Sequence, residues 1–249
     1  MKKLLGLFIA SFYLSIFAIG ISSAAKITDD LVGYWPLDGD VKDTIAGLGG
    51  KLADGAKWTD KGKIKKAVEV DGVTGHVLID DFELKTDTIT SVAWINGWRQ
   101  TAWTGIVVGR GTTPFWMGFT DQDTLSYVWN NDSDKTWGWI NGPKIPQDEW
   151  ALAAIAIEPT KATGYIYTDA GGLKQEANNL DHIEQTVTNL KFGWDECCGD
   201  NRHVAGILDE VMIYNRPLAE DEILKIATSG LAVEFKDKLA TQWGTIKQQ

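Results

Sequence analysis

Eight of the twelve tryptophans in this 249-residue chain lie between residues 94 and 150. Four of them, Trp98, Trp103, Trp137 and Trp139, sit beside Gly97, Gly105, Gly138 and Gly142, among Arg99, Gln100, Asn130, Asn131, Asp132 and Asp134. An indole offers a large apolar face and one N–H that wants a partner when buried. Flat aromatic faces with amide and charged neighbours are a means of holding sugars, whose axial C–H groups pack on a ring while their hydroxyls take hydrogen bonds. Trp98, Trp103, Trp137, Trp139 and Trp194, with Arg99 and Asn130, are therefore the candidate carbohydrate-binding residues. The competing reading is that these indoles cap the ends of a sandwich. Trp94 and Trp150 open strand-like runs, Trp35 belongs to the first such run of the chain, and all three read as sheet or core residues, by the usual enrichment of aromatics in strands.

The only two cysteines, Cys197 and Cys198, are neighbours, and they follow Trp194 in Asp195-Glu196-Cys197-Cys198-Gly199-Asp200. In an oxidising compartment such a pair can close an eight-membered disulfide ring, a stiff plate facing a ligand. Two reduced thiols or an intermolecular link are the alternatives. The three histidines, His76, His182 and His203, are far apart, and no Gly-x-Ser-x-Gly nucleophile elbow occurs.

These residues need a scaffold, and its pattern is short apolar runs divided by turn residues. Leu31–Leu37, Ala67–Val70, Thr90–Ile95, Phe115–Phe119, Leu125–Trp129, Leu152–Ile157 and Ile207–Tyr214 are among them. Asp38-Gly39, Asp54-Gly55, Asp71-Gly72, Asn96-Gly97 and Asn141-Gly142 supply turn pairs that tolerate positive φ. Many short strands with such punctuation predict an all-β, two-sheet antiparallel β-sandwich. One short C-terminal helix follows the last strand. Arg216-Pro217 opens it, Glu220, Asp221 and Glu222 favour its N-terminus, and Gly230 ends it. Ile223, Leu224, Ile226 and Ala227 are expected to dock it.

Met1-Lys2-Lys3, an apolar run from Leu4 to Ile21 and small residues to Ala25 describe a secretory signal peptide over residues 1–25. An uncleaved membrane anchor is the alternative, and no later segment is apolar enough to cross a membrane. One domain over 27–230 follows, then a tail over 231–249 without an assigned role. The formal net charge of −10 becomes about −12 without Lys2 and Lys3, which argues against nucleic acid as partner. The expected setting is secreted, periplasmic or cell-surface.

Four stretches resemble the laminin-G-like, concanavalin A-like jelly-roll domains of secreted bacterial proteins: Leu31–Asp43, Gly62–Ile79, Trp150–Ala170 and Gly206–Ile226. The last, GILDEVMIYNRPLAEDEI and onward, is the most specific. Ala219 departs from the family's helix-capping Ser or Thr, at an expected cost of ~1 kcal/mol. Strict alternation would put Asp209 on one face with Ile207, Val211 and Ile213, where a buried carboxylate must be hydrogen-bonded, neutralised or metal-bound. The resemblance implies a structural calcium there, with Asp38 or Asp43 from the first loop beside Asp209. The plainer alternative is that Asp209 accepts backbone N–H bonds at a sheet end. Hydrolases of the superfamily carry Glu-x-Asp-x-x-Glu on one strand, and this chain lacks it. The sequence thus points to an exported non-catalytic recognition module that binds carbohydrate. Its partner is a glycan or an extracellular or cell-surface protein. The alternatives are an adhesive protein–protein module and a polysaccharide hydrolase or lyase.

Overall fold

The computed structural model describes residues 26–111, 114–129, 139–199 and 201–231. The leader over residues 1–25, Asn130, Trp137 and the tail from 232 onward lie outside the described residues. The strands in chain order are β1 (Leu31–Trp35), β2 (Gly50–Leu52), β3 (Ala56–Thr59), β4 (Ala67–Asp71), β5 (Val77–Ile79), β6 (Glu83–Thr86), β7 (Ile89–Arg99) and β8 (Gly105–Arg110). They continue as β9 (Pro114–Phe119), β10 (Leu125–Trp129), β11 (Ala151–Glu158), β12 (Lys161–Thr168), β13 (Gly172–Asn178), β14 (Gln185–Thr188), β15 (Leu190–Phe192) and β16 (Val204–Tyr214). A single helix, α1 (Glu220–Ser229), follows.

The fold is a β-sandwich of the concanavalin A-like jelly-roll type. One sheet runs β13-β12-β11-β7-β16-β4-β3, with β1 also on β16, and the other runs β10-β9-β8-β15-β5-β2. Strands β14 and β6 form a separate pair. All pairings are antiparallel, so successive side chains face opposite sides of each sheet. Ala93, Ile95, Ile155, Val211 and Ile213 of the larger sheet meet Phe115, Met117, Phe119, Tyr127 and Trp129 of the smaller in the main core. Trp35 is fully buried there, edge-on to Phe192 at 5.3 Å.

Neither sheet leaves its second face polar. On the larger sheet Val92, Trp94, Leu152, Ala154 and Tyr214 face outward, and Ile223, Ile226 and Ala227 of α1 cover them. Leu224, expected to dock, points away and is 40 % exposed. The three buried helix residues follow the i, i+3, i+4 stripe, and Leu224 falls outside it.

Two local expectations fail for backbone reasons. Asn96-Gly97 is not a turn but part of β7, where a Cβ on Gly97 would lie 2.7 Å from the Ala205 carbonyl oxygen. The glycine permits the close approach of β7 and β16, so Trp98 and Arg99 lie on a strand end, not in a loop. Asp209 does not share a face with Val211 and Ile213. Asp209 pairs with Trp94 and Met212 with Val92, so β16 carries one extra residue against β7. Glu210 there has a φ of +50°, and this bulge reverses the alternation. Asp209 consequently faces the same side as Trp94, away from the main core.

Helix α1 begins at Ala219 without a side-chain cap. Glu222 supplies the reciprocal half alone: its Oε2 accepts the Ala219 N–H at 3.0 Å while Arg216 donates to both its oxygens at 2.6 and 2.8 Å. Ala219→Ser adds the missing acceptor and should raise stability by ~1 kcal/mol, read as a higher urea midpoint at unchanged m-value. An unchanged midpoint would mean that the Arg216–Glu222 clamp already holds the helix start.

Candidate ligand cavity on the six-stranded sheet

The smaller sheet's second face is built by alternation. Where Val107, Phe115, Met117, Tyr127 and Trp129 turn inward, Val108, Trp116 and Val128 turn outward into a small apolar cluster, with Trp103 packed on it. Among the described residues no helix covers this face. Instead the turn after β7 and the loop before β16 rise over it, leaving a cavity of about 230 Å³ lined by Trp103, Arg110, Trp116, Val128, Asp195, Cys197, Cys198 and Arg202.

Trp116 is 1 % exposed and supplies the floor. Trp103 reaches the cavity because its backbone turns at a φ of +63°, bringing its ring centroid 6.2 Å from that of Trp116 at an interplanar angle of 49°. The Thr101 hydroxyl, donating to the Asn201 carbonyl at 2.7 Å, ties this turn to the facing loop.

Asp195 organises the wall. Buried to 1 % exposure, it accepts from Arg110 Nε at 2.7 Å, Arg110 Nη2 at 2.9 Å, Arg202 Nη1 at 3.4 Å and the Cys197 N–H at 3.1 Å. The first two form a bidentate guanidinium–carboxylate pair, the strongest geometry for such bonds. Cys197 and Cys198 are joined by a disulfide, and Cys198 sits at a φ of +70°. The ring so formed is an apolar face on the cavity wall.

Of the residues singled out in the sequence, Trp103, Cys197 and Cys198 meet here. Trp98 packs edge-on against Phe119 at 5.6 Å, and Arg99 pairs with Asp123 at 2.6 Å, so neither lines the cavity. Trp139 is a core residue, 8 % exposed and edge-on to Tyr127 at 5.7 Å, which leaves no ring face for a sugar. Trp194 lies between His76, at 4.4 Å, and His203, stacked at 5.2 Å. Arg110, Trp116, Val128, Asp195 and Arg202 were not singled out. Trp116 alternates with Phe115 and Met117 in the run Phe115–Phe119, and that alternation was the available signal. The Arg110–Asp195 pair joins residues 85 positions apart and left none.

The acids considered for calcium are committed elsewhere. Asp43 accepts backbone N–H bonds from Tyr34, Ile45, Ala46 and Gly47, with distances of 2.5–3.1 Å. Asp38 accepts from Lys65 Nζ and the Lys66 N–H, and Asp209 from the N–H groups of Ile64 and Glu210. Among the described residues no group of three or more His, Cys, Asp or Glu side chains is placed to hold a metal. Burial pushes the carboxyl of Asp209 up to about 8 and that of its neighbour Glu210 to about 7; Glu210 is bonded to the Tyr34 hydroxyl at 2.5 Å.

The histidines flanking Trp194 titrate low. Burial, then the proximity of His76, holds His203 down to about 4 from 6.5, and burial lowers His76. Unfolding therefore frees groups that bind protons near pH 6.5, and stability present above that pH declines as pH falls toward 4. Asp209 and Glu210, with their raised carboxyls, oppose this trend over the same window, so it is read as a difference: His203→Phe, which keeps a ring against Trp194, should lose less melting temperature than the parent between pH 6.5 and 4. An equal slope in the variant would remove His203 as the source.

Among the described residues no helix is long and apolar enough to cross a membrane. Domain 4 of AbnA, a GH43 extracellular arabinanase from Geobacillus stearothermophilus solved with arabinotriose, matches at a TM-score of 0.61 and 19 % identity, over 80 % of this chain and 98 % of that one. The binding domain of Paraclostridial Mosquitocidal Protein 1 matches at 0.59 and 16 %, covering 81 % and 52 %. That of botulinum neurotoxin serotype G matches at 0.57 and 12 %, covering 79 % and 50 %. This chain thus spans about half of each toxin binding domain. These likenesses concern the fold. No curated protein matches the sequence. The model for the concanavalin A-like lectin/glucanases superfamily, of laminin-G type, matches residues 71–224, more than half of the chain, and the protein belongs to that family.

Proposed function

We propose that this protein is an exported, non-catalytic recognition module that binds carbohydrate in the cavity between Trp103, Trp116 and the Cys197–Cys198 ring. The observation that carries the reading is a pair of indoles and an apolar disulfide face around about 230 Å³ on the outer face of the six-stranded sheet. That volume is below the ~300–1,000 Å³ of sites for drug-sized ligands and suits one sugar ring. The arabinotriose complex of the arabinanase domain is consistent with sugar binding on this fold. The extracellular setting of that enzyme, together with the leader-like N-terminus, supports export.

The absence of catalysis in this reading follows from Asp195. Among the described residues it is the one carboxylate lining the cavity, and four donors engage its oxygens. Glycoside hydrolysis needs two carboxyl groups either side of the scissile bond, one of them able to give a proton.

Trp103→Ala should weaken glycan binding at least tenfold in calorimetry while leaving the melting temperature nearly unchanged, because the ring is half-buried at the cavity edge. Trp139→Ala should do the reverse: a loss of ~3–5 kcal/mol of stability from the core, with affinity retained in the folded fraction. If Trp103→Ala binds as the parent does, the cavity is not the sugar site. Reducing-sugar release from polysaccharide by the purified protein would overturn the non-catalytic reading.

Calcium is a separate proposal, supported only by the crowding of Asp38, Asp209 and Glu210 around Tyr34, whose hydroxyl is pushed far above its usual range by burial and then by Glu210. A bound dication would offset that crowding. EDTA should then lower the melting temperature and added calcium restore it; an unchanged value removes the metal.

A further inference from the structure

Three rings meet at the ends of β5 and β15. His76 immediately precedes β5, Trp194 follows β15, and His203, just before β16, forms a lone β-bridge with Trp194. The ring centroids of the two histidines are 5.7 Å apart, and Trp194 completes the triangle at 4.4 Å from His76 and 5.2 Å from His203.

Hydrogen bonds fix which nitrogen of each imidazole carries the proton. His76 Nδ1 lies 2.7 Å from the Thr74 carbonyl oxygen, which can only accept, so Nδ1 donates. His203 Nδ1 lies 2.7 Å from Asn201 Oδ1. The Asn201 amide is oriented by its own Nδ2, which donates to the Gly72 carbonyl at 2.9 Å, so its oxygen faces the ring and accepts. In each neutral ring the lone pair is therefore on Nε2. Neither Nε2 makes a hydrogen bond among the described residues.

Histidines that hold metals are anchored in this way, one ring N–H given to an oxygen and the opposite nitrogen presented. The spacing agrees as well. Zn–N bonds of ~2.0–2.1 Å at a tetrahedral or somewhat wider angle set two imidazole centroids ~5–6 Å apart. The charges acting on His76 are those of Lys191 and Glu196, which are joined at 2.8 Å and offset one another. Asp71, the carboxylate acting on His203, is engaged by the N–H groups of Val73, Thr74 and Gly75 and is not free to ligate.

We propose that Nε2 of His76 and Nε2 of His203 chelate a transition-metal ion of the copper(II), nickel(II) or zinc(II) class beside Trp194. Imidazole nitrogen suits these ions, with copper(II) bound most tightly, whereas calcium and magnesium take oxygen ligands. Two protein nitrogens leave the other coordination positions to water. The site stands apart from the carbohydrate reading and from the carboxylates around Tyr34.

The test titrates the whole chain, first freed of metal by a chelator, with copper(II) and then with zinc(II). Copper should bind saturably at one equivalent, and His76→Gln and His203→Gln should each weaken both ions at least tenfold. Since either substitution could disturb its loop, pulsed electron paramagnetic resonance of the copper-loaded parent is the second readout, and it should count two imidazoles on the metal. One imidazole or none overturns the chelate, as does copper affinity in either folded variant equal to that of the parent. The absence of saturable copper binding by the parent, or displacement of the copper by calcium, would overturn the site itself.

Discussion

Strand alternation gives each of these sheets two apolar faces, and only one face of each can be spent on the core between them. The other must be covered, or it remains as exposed indole and aliphatic surface. On the eight-stranded sheet the cover is α1, whose Ile223, Ile226 and Ala227 seal Val92, Trp94 and Leu152. On the six-stranded sheet the described residues leave the cover incomplete, with a cavity over Trp116. The candidate site is thus a consequence of how the second face is closed, by two loops where the opposite sheet has a helix.

Closing a sheet with loops raises the question of what holds the loops, and here the answer is a buried charge. Asp195 without partners would be prohibitively costly at 1 % exposure. With Arg110 from β8 and Arg202 from the loop just before β16, it joins a sheet strand to both ends of the loop that carries the disulfide. Breaking such a buried pair by removing one partner typically costs about 3–5 kcal/mol. The same bonds exhaust the carboxylate as an acceptor, so the element that rigidifies the wall also fixes its polarity.

The fold was legible because it depends on local signals: short apolar runs, turn pairs and the closing Gly206–Ile226 stretch. The polar edge strands β2, β3, β6, β13 and β14 carry little apolar alternation and were not legible. The bulge at Glu210 was hidden as well, since one inserted residue reverses every face before it and leaves no compositional trace. Trp103 and the cysteine pair were readable as candidates. Trp139 was misread from its neighbours: a Cβ on Gly142 would collide with the Leu125 carbonyl, so the glycine that suggested an open loop marks a close backbone approach.

Gly118 makes the same point from the other side. A Cβ there would lie 2.6 Å from the Trp116 ring and collide with the Thr104 carbonyl, so the glycine lets the indole lie along the sheet. The ring is thereby fixed as a floor and its Nε1–H left without a described partner, at a cost on the order of 1–3 kcal/mol for a buried orphan donor. Trp35 Nε1 is also unpartnered, in the main core, so an orphan indole N–H alone does not mark a site. The difference is position. Trp35 is enclosed by Phe82 and Phe192, whereas Trp116 fronts a cavity whose other walls are a disulfide face and two guanidinium groups. Trp116 thus forms the apolar floor of the cavity, whereas Trp35 only fills the core.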